Sequence, residues 1–211
     1  MIKKGCLDIA QEKCTNCHDC ILSASRKNVV FADGNPETAK IAIIGEAPNE
    51  LEDEAGKPFV GRVGEVFDSF LAEAGISRQN DVYMMNIVKC RPPENRIPTE
   101  IEKALCRKFI NAQIDILNPQ AIIFCGATVL KAFKGEDKKI QMSKIRGQWF
   151  DIEINGKTYK AMAIFHPSYM LRNRSMEEGS PRRLMQQDLA EIKSTIIGDT
   201  SNPFAPELVM V

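Results

Sequence analysis

The side chains of this chain that are best suited to chemistry begin where a short apolar run ends. Residues 41–44 lead through Gly45 to Glu46, and an isolated aromatic residue, Phe59, lies in the segment that follows. Other carboxylates fill that segment, namely Glu50, Glu52, Asp53 and Glu54. A buried strand that delivers a carboxylate to the rim of a sheet is typical of α/β enzymes, because ligands bind beyond the carboxyl ends of the strands. A carboxylate and a stacking aromatic in one loop favour a flat, polar ligand such as a nucleobase.

Three further apolar runs also end at polar or turn-forming residues. Residues 82–85 precede Asn86, residues 121–124 precede Cys125, and residues 161–165 precede His166. Short continuous apolar runs bounded by turn residues are typical of buried parallel strands. In one parallel sheet, Glu46, Asn86 and His166 would emerge at the same rim although they are far apart in sequence. This convergence is the central expectation from the sequence.

Helical patterns alternate with these runs. Apolar residues recur at helical spacing between residues 64 and 74, and Thr99-Glu100-Ile101-Glu102 is a capping box that opens a further helix. The predicted buried face of that helix consists of Ile101, Leu105, Phe109, Ala112 and Ile116. Residues 149–165 form a predicted hairpin with its turn at Asn155-Gly156, and Ser180-Pro181 begins the last helix. We therefore expect the α/β class, with a three-layer α/β/α sandwich around a central, mainly parallel four-stranded sheet.

Length and charge limit the class of protein. With 211 residues the chain suits a single domain, predicted for residues 1–198, and residues 199–211 are an expected peripheral tail. Basic and acidic residues number 28 each, so net charge gives no sign of a nucleic-acid partner, and any basic surface must be local. No apolar run approaches the roughly 20 residues of a membrane span, and no secretion signal is evident. A monomeric, cytoplasmic protein without a membrane partner is expected.

Seven cysteines in such a compartment do not suggest a disulfide framework, and their odd number agrees with this. Cys14 and Cys17 form a close pair, and Cys90 and Cys106 form a wider one. Four thiolates can hold a [4Fe–4S] cluster or a zinc ion. Spacing alone leaves open a cluster, a zinc ion and unligated thiols, although the wide second spacing suits a zinc ribbon poorly.

Two other features concern the cysteines. Cys14 to His18 matches the C-x-x-C-H pattern of covalent haem attachment, but that chemistry takes place outside the cytosol. Cys20 is an alternative ligand to Cys17, and Cys125 is expected to be a small core residue.

Taken together, these motifs resemble the family 4 uracil-DNA glycosylases, the iron–sulfur branch of the uracil-DNA glycosylase superfamily. The resemblance rests on Cys14-x-x-Cys17, Gly45-Glu46-Ala47-Pro48 with Glu52-Asp53, Pro58-Phe59-Val60-Gly61, Asn86-Ile87-Val88-Lys89-Cys90-Arg91-Pro92-Pro93, Cys106 and His166-Pro167-Ser168. These motifs run in the family's order through nearly the whole chain. The resemblance implies excision of uracil from single- or double-stranded DNA, and a [4Fe–4S] cluster held by Cys14, Cys17, Cys90 and Cys106.

The chain departs from the family pattern at one position. Asn49 follows Pro48 where the family usually has glycine, and asparagine tolerates a positive φ better than most residues, so the turn is expected to survive. A related branch that becomes covalently trapped on uracil-DNA carries a histidine in an extra basic loop. Residues 91–100 contain no histidine, so trapping is not expected.

The resemblance also implies roles for individual residues. Cleavage of an N-glycosidic bond gives the sugar oxocarbenium character and leaves negative charge on the base. Glu46 is expected to stabilise the sugar cation and position water, and His166 to hydrogen-bond the uracil oxygen; Glu52 is a further catalytic candidate that orients water or else holds the loop. Asn86 would pair with the Watson–Crick edge of the flipped base, and Phe59 would stack on it. Further substrate contacts are expected from Gly45, Ala47, Asp53 and Ser168.

Each principal side chain also has an ordinary structural alternative. These alternatives are a helix cap or surface acid for Glu46, a structural histidine for His166, a turn cap for Asn86 and a core aromatic for Phe59. On the DNA side, Met170 or Leu171 is the candidate wedge for the vacated base stack, with Arg172 and Arg174 on phosphates. A wider basic footprint would add Lys144, Arg146, Arg182 and Arg183.

Three functional hypotheses follow. The first is a DNA repair enzyme that hydrolyses the N-glycosidic bond of uracil and leaves an abasic site. The second is a non-catalytic iron–sulfur module of the same fold that binds DNA or a nucleotide, which would need neither Glu46 nor His166. The third is a zinc-bearing α/β hydrolase, which is disfavoured because the chain lacks a G-x-S-x-G nucleophile motif.

Overall fold

The computed structural model describes residues 2–135 and 140–198 and is built on a five-stranded sheet. The strands are β1 (Ile41–Gly45), β2 (Val82–Asn86), β3 (Ala121–Cys125), β4 (Trp149–Ile154) and β5 (Lys157–Ile164). Their spatial order is β2-β1-β3-β5-β4, with β1, β2, β3 and β5 parallel and β4 antiparallel to β5. The expected mainly parallel sheet is confirmed.

The sheet has five strands instead of four because the predicted hairpin contributes both of its arms. Asn155 and Gly156 have φ of 53° and 74°, as a two-residue turn of the primed type requires. The turn returns the chain antiparallel to β5, so β4 becomes an edge strand beside an otherwise parallel sheet.

Helices cover both faces of the sheet. They are α1 (Ile2–Thr15), α2 (Glu50–Ala55), α3 (Gly61–Glu73), α4 (Glu100–Leu117), α5 (Ala127–Lys134), α6 (Met142–Ile145), α7 (Pro167–Arg172) and α8 (Pro181–Ile192). Successive strand residues point to opposite faces. Ala42 and Ile44 therefore pack with α1, α4 and α5, whereas Ile41 and Ile43 pack with α3, α7 and α8. This arrangement is the predicted three-layer sandwich, and every residue of β1, β2 and β3 is buried.

The predicted buried face of α4 is wrong at its beginning. The capping box is present, since Thr99 Oγ1 accepts a hydrogen bond from the Glu102 N–H and the Glu102 carboxylate accepts one from the Thr99 N–H. However, Ile101 is 72% exposed and Leu105 is 39% exposed. The buried residues of the helix are Glu102, Phe109, Ile110, Gln113, Ile114 and Leu117. The apolar pattern missed this face because one of its buried residues, Gln113, is polar. Gln113 can be buried because its Nε2 donates a hydrogen bond to the Phe31 carbonyl at 3.0 Å.

Two other expectations concern the termini and the membrane. The predicted tail, residues 199–211, lies outside the described residues. Within the described part of the chain, no helix combines the length and apolar character needed to cross a bilayer.

Candidate active site and cysteine cavity

A cleft of about 430 Å³ lies at the carboxyl ends of the parallel strands, and we call it the rim cleft. Its lining includes Glu46 after β1, Asn86 at the end of β2 and His166 after β5, together with Ala47, Phe59 and Ser168. The structure therefore brings together the side chains that the strand ends were expected to deliver. The size suits a small ligand such as one base with its sugar.

Asn86 has an amide group directed into a buried environment without a protein partner. The residue is 3% exposed, and its Nδ2 has no hydrogen-bond partner among the described residues. A buried donor that lacks an acceptor is costly, and native structures keep few of them. Because Asn86 lines the rim cleft, this amide is available to a ligand acceptor there.

Gly45 is paired with Asn86 across β1 and β2 and makes room for the site. A Cβ atom at Gly45 would lie 2.3 Å from Asn86 Oδ1 and 2.9 Å from Cζ of Phe59. Both separations are too short for real atoms, so a larger residue would displace the amide or the ring. Gly45 lets Asn86 and Phe59 approach each other, and its predicted contact with substrate stays a prediction.

His166 caps the N-terminus of α7 with its side chain. Nδ1 accepts a hydrogen bond from the Ser168 N–H at 3.2 Å and lies 2.8 Å from Ser168 Oγ. Burial lowers the pKa of His166 to about 4, so the ring is neutral near pH 7. A backbone N–H can only donate, so Nδ1 is the acceptor and the proton of the neutral ring resides on Nε2.

Glu46 supplies a carboxylate to the cleft, whereas His166 supplies a neutral ring with an N–H donor. It directly follows β1, is half-buried and lines the rim cleft. Its carboxylate has no hydrogen-bond or ion-pair partner among residues 2–135 and 140–198. A carboxylate free of protein partners in a partly desolvated cleft can stabilise positive charge or bind water.

Glu52 holds the loop that lies between β1 and α3. One carboxylate oxygen accepts from the Asn49 N–H at 2.9 Å, and the other accepts from the Phe59 N–H. The side chain is 5% exposed, and burial raises the pKa of its carboxyl group. With both oxygens engaged, Glu52 supports the loop, which is one of the two roles expected for it. It also lines the rim cleft, so its role in orienting water stays a prediction.

The departure at Asn49 is explained by the same loop. Asn49 has an extended backbone with φ of −89°, so this position does not need the left-handed conformation that favours glycine. Its Oδ1 accepts from the Glu52 N–H at 3.1 Å, which completes a capping box at the start of α2. Asparagine is among the preferred N-cap residues.

Asp53 does not belong to the rim cleft. It is 1% exposed, and its carboxylate accepts from the N–H groups of Lys27 and Asn28 at 3.0–3.1 Å. The substrate contact expected of Asp53 is therefore replaced by a structural task, which is to fasten the segment around residues 27–28 to α2. Adjacent acids in the sequence thus have separate partners.

The predicted DNA-contacting residues divide into free and structural ones. Met170 is fully buried against the core that α3 and α8 share, so it cannot serve as the wedge. Leu171 is half-buried and Arg172 is exposed on the same short helix. Arg146 pairs with the buried Asp188, and Arg182 donates to the Met170 carbonyl at 3.2 Å, so both hold the fold together. The sequence could not distinguish these arginines from surface ones.

Some residues of the site were not foreseen from the sequence. Pro92, Asn95, Arg96 and Thr128 also line the rim cleft. Arg78, which lies outside every motif, donates to the backbone that carries Phe59. Pro92 stands in a motif quoted for the family resemblance, but no role was expected of it. The other residues give no sequence signal, because turn residues and single arginines are common in any loop.

The cysteines meet in a second cavity. It is lined by Cys14, Cys17, Cys20, Cys90 and Cys106, with walls that include Lys89, Leu105 and Phe109. Burial raises the pKa of Cys14 to about 12 and that of Cys106 to about 11, so these thiols keep their protons unless a cation takes the charge. Cys6 is exposed and Cys125 is buried in the core, as expected for the latter.

The cysteine thiols of this cavity are the type of donor that an iron–sulfur cluster or a zinc ion takes. In the described ranges no three His, Cys, Asp or Glu side chains converge closely enough to hold one metal ion. Zinc needs such convergence, because each of its thiolate sulfurs lies about 2.3 Å from the ion. A four-iron cluster takes one thiolate at each iron, so its cysteines stand further apart.

Lys89 lies between the two cavities. Lys89 is fully buried, and it is the only buried lysine or arginine among the described residues. Its Nζ donates to the Asn86 carbonyl at 2.8 Å and faces the thiols of Cys14, Cys90 and Cys106. Burial lowers the pKa of Lys89 to about 8. A single side chain thus contacts the residue at the rim cleft and borders the cysteine cavity.

Comparisons with known proteins identify the family of this chain. The family model of the uracil DNA glycosylase superfamily matches residues 31–190. The chain is 46% identical over 190 residues to the Type-4 uracil-DNA glycosylase of Thermotoga maritima, covering 90% of this chain and 94% of that protein. It is 35% identical over 193 residues to the Type-4 enzyme of Saccharolobus solfataricus (90% and 86% covered), and 35% identical over 176 residues to that of Archaeoglobus fulgidus (82% and 86% covered). With these matches, and with its motifs assembled at one rim of the sheet, the chain belongs to the uracil-DNA glycosylase superfamily.

Proposed function

We propose that this chain removes uracil from DNA by hydrolysing its N-glycosidic bond, leaving an abasic site for base excision repair. Curated relatives that cover most of the chain carry the name Type-4 uracil-DNA glycosylase. The observation that carries the proposal is the meeting of Glu46, Asn86 and His166 in one cleft. A module that only binds nucleotides would need neither a carboxylate without protein partners nor a neutral histidine beside it.

Asn86 reads the base. Its Nδ2–H, which lacks a protein acceptor, donates to O4 of uracil while Oδ1 accepts the N3–H. Cytosine presents an amino group and an unprotonated N3 at these positions, so donor would face donor and acceptor would face acceptor. A site built to hydrogen-bond one edge rejects the other because buried polar groups are left unpaired.

Phe59 supports the base from one side. Its ring is buried, contacts Phe67 at a centroid distance of 5.6 Å and lines the rim cleft. Stacking on an aromatic ring compensates part of the stacking that the base loses when it leaves the duplex. Leu171 and Arg172 remain the candidates for the wedge and a phosphate contact.

Glu46 and His166 act on opposite ends of the breaking bond. The bond between C1′ and N1 breaks with its electron pair on N1, and charge spreads to O2 of the base. His166 donates a hydrogen bond from Nε2–H to O2, and Glu46 stabilises the cationic sugar. Water, positioned by Glu46, forms the new bond to C1′, and its proton returns to the released base through solvent.

Cys14, Cys17, Cys90 and Cys106 would hold a [4Fe–4S] cluster. When bound, the cluster would cross-link α1, α4 and the loop after β2 that carries Cys90 and Pro92-Pro93. Hydrolysis of an N-glycoside moves no electrons, so we assign the cluster a structural role. No disulfide joins any of the seven cysteines, all of which lie among the described residues, and this suits the reducing cytoplasm. We propose that the chain acts as a monomer.

The proposal is tested with oligonucleotides that carry one uracil, single- and double-stranded, followed by alkaline scission. Strand breaks at the uracil are expected with the native chain, and Glu46→Ala should lose most of them. Glu65→Ala, at an exposed position of α3, is the control and should keep full activity. Binding of the oligonucleotide without any alkali-labile site would instead support the non-catalytic module.

A further inference from the structure

We propose that Arg78 is a positioning residue that clamps Phe59 in a strained backbone conformation and so fixes the slot for the flipped base. This assignment deepens the proposed function and rests on it where it concerns the base. Arg78 lies between α3 and β2, in no motif of the sequence.

The backbone of Phe59 is the strained element. Its φ is 53°, in the left-handed region that residues with a large side chain rarely adopt. Such a conformation costs free energy and persists only where the surroundings hold it from several sides. Strain of this kind is often found where a side chain must be aimed at a ligand.

Phe59 is held from both ends of its residue. On the amide side, the Glu52 carboxylate accepts the Phe59 N–H. On the carbonyl side, Arg78 Nη1 donates to Phe59 O at 3.0 Å and Nη2 donates to Pro58 O at 3.0 Å. Gly64 completes the enclosure, because a Cβ atom there would lie only 2.0 Å from Phe59 O.

Arg78 is itself fixed by two carboxylates. Nε and Nη2 donate to Asp33 Oδ2 at 3.1 and 3.0 Å, and Nη1 donates to Asp68 Oδ1 at 2.6 Å. The side chain is 16% exposed. A planar guanidinium can serve carboxylates and carbonyls at once through its fork of donors, whereas a lysine ammonium cannot.

The clamp also connects Phe59 to β2, the strand that carries Asn86. Asp33 pairs through its backbone with Met84 of β2, with N–O distances of 3.0 and 2.8 Å. Met84 lies two residues before Asn86 on that strand. Arg78 therefore connects the Phe59 ring to the Asn86 amide. These two side chains also lie close together beside Gly45. Loss of the clamp should widen the slot without removing any group that touches the base.

The test compares Arg78→Lys with Arg146→Lys. Arg146 is a matched control, since it is 14% exposed and binds a carboxylate and a carbonyl, but it holds α8 and not Phe59. Two quantities are measured: hydrogen exchange at the Phe59 amide and affinity for free uracil by calorimetry. Asp68→Asn, which removes one anchor at a half-exposed position, is a milder second variant.

In Arg78→Lys, exchange at Phe59 should rise and free uracil should bind about ten- to a hundredfold more weakly, the factor expected when local strain of this size is released. Asp68→Asn should shift both quantities in the same direction by less, and Arg146→Lys should leave both unchanged. Native exchange and native uracil affinity in Arg78→Lys would overturn the proposal, as would faster exchange with unchanged affinity. If the native chain releases no uracil, the proposed function fails, and the exchange arm still decides whether the clamp exists.

Discussion

The Nδ1 atom of His166 accepts a hydrogen bond from the backbone N–H of Ser168 at 3.2 Å. This contact fixes which ring nitrogen carries the proton of the neutral imidazole, and burial keeps the ring neutral by lowering its pKa to about 4. The motif His166-Pro167-Ser168 thus sets a tautomer as well as a position. Pro167, as the first helical residue, has no N–H of its own to compete for the ring.

A first prediction concerns stability against pH. The folded-state pKa of His166 lies below the ordinary value of 6.5, so between pH 6.5 and 4 the unfolded chain binds more protons. Stability should be full above about pH 6.5 and fall by roughly 3 kcal/mol, on account of this residue, as the pH approaches 4. Urea unfolding at pH 7.5 and pH 4 measures it. His166→Gln should lose less stability over this interval, and equal losses in both proteins would contradict the assignment.

Asn86→Asp should strongly reduce uracil release. The substitution removes the Nδ2 donor and places a carboxylate against O4 of the base, so the loss should be about a hundredfold or more. Single-turnover cleavage of a uracil oligonucleotide gives the rate. Asn118→Asp, the same change at the far end of α4, is the control and should be as active as the native chain. Equal rates for both variants would remove Asn86 from the reading role.

Gly45→Ala should impair activity although it adds only one methyl group. The new Cβ would lie 2.3 Å from Asn86 Oδ1, so either the amide or the strand must shift. We expect at least a tenfold fall in kcat/KM with little change in melting temperature, since the clash is with a side chain at the rim. Gly5→Ala, which meets no atom within 4 Å, should be neutral. A fully active Gly45→Ala protein would contradict this prediction, because it would show that activity tolerates displacement of the Asn86 amide.

Cys106→Ser should abolish visible absorbance after anaerobic purification and lower the melting temperature. The reason is that Cys106 supplies the α4 side of the cysteine cavity. Cys6→Ser, at an exposed position outside this cavity, should keep both properties. Iron and zinc analysis of the native chain separates the two metals. Stoichiometric zinc without iron would restore the alternative that spacing left open.

Features of local sequence were predicted well. The apolar runs identified the parallel strands because a strand covered on both faces has no polar alternation to hide it. Glu46, Asn86 and His166 could be placed at one rim because parallel strands end at the same edge of a sheet. The capping box at Thr99 was recognisable because it needs only two residues at fixed spacing.

Features that depend on tertiary packing were not predicted. Met170 was expected to face DNA, but an apolar residue on a short helix gives no sign of whether it points to solvent or core. Asp53 and Glu52 are neighbours in sequence, yet one fastens residues 27–28 and the other holds Phe59. Arg78 acts through carbonyl groups, which every residue possesses, so its partners leave no trace in the sequence.

The unpartnered amide of Asn86 has a thermodynamic consequence. A folded protein that leaves a buried donor unanswered is less stable than one with an apolar side chain of the same shape. The chain therefore accepts a loss of folding stability at Asn86, where a bound uracil would supply the missing hydrogen-bond acceptor. A side chain chosen for thermal stability alone would not be an asparagine at this position, which agrees with the binding role proposed for it.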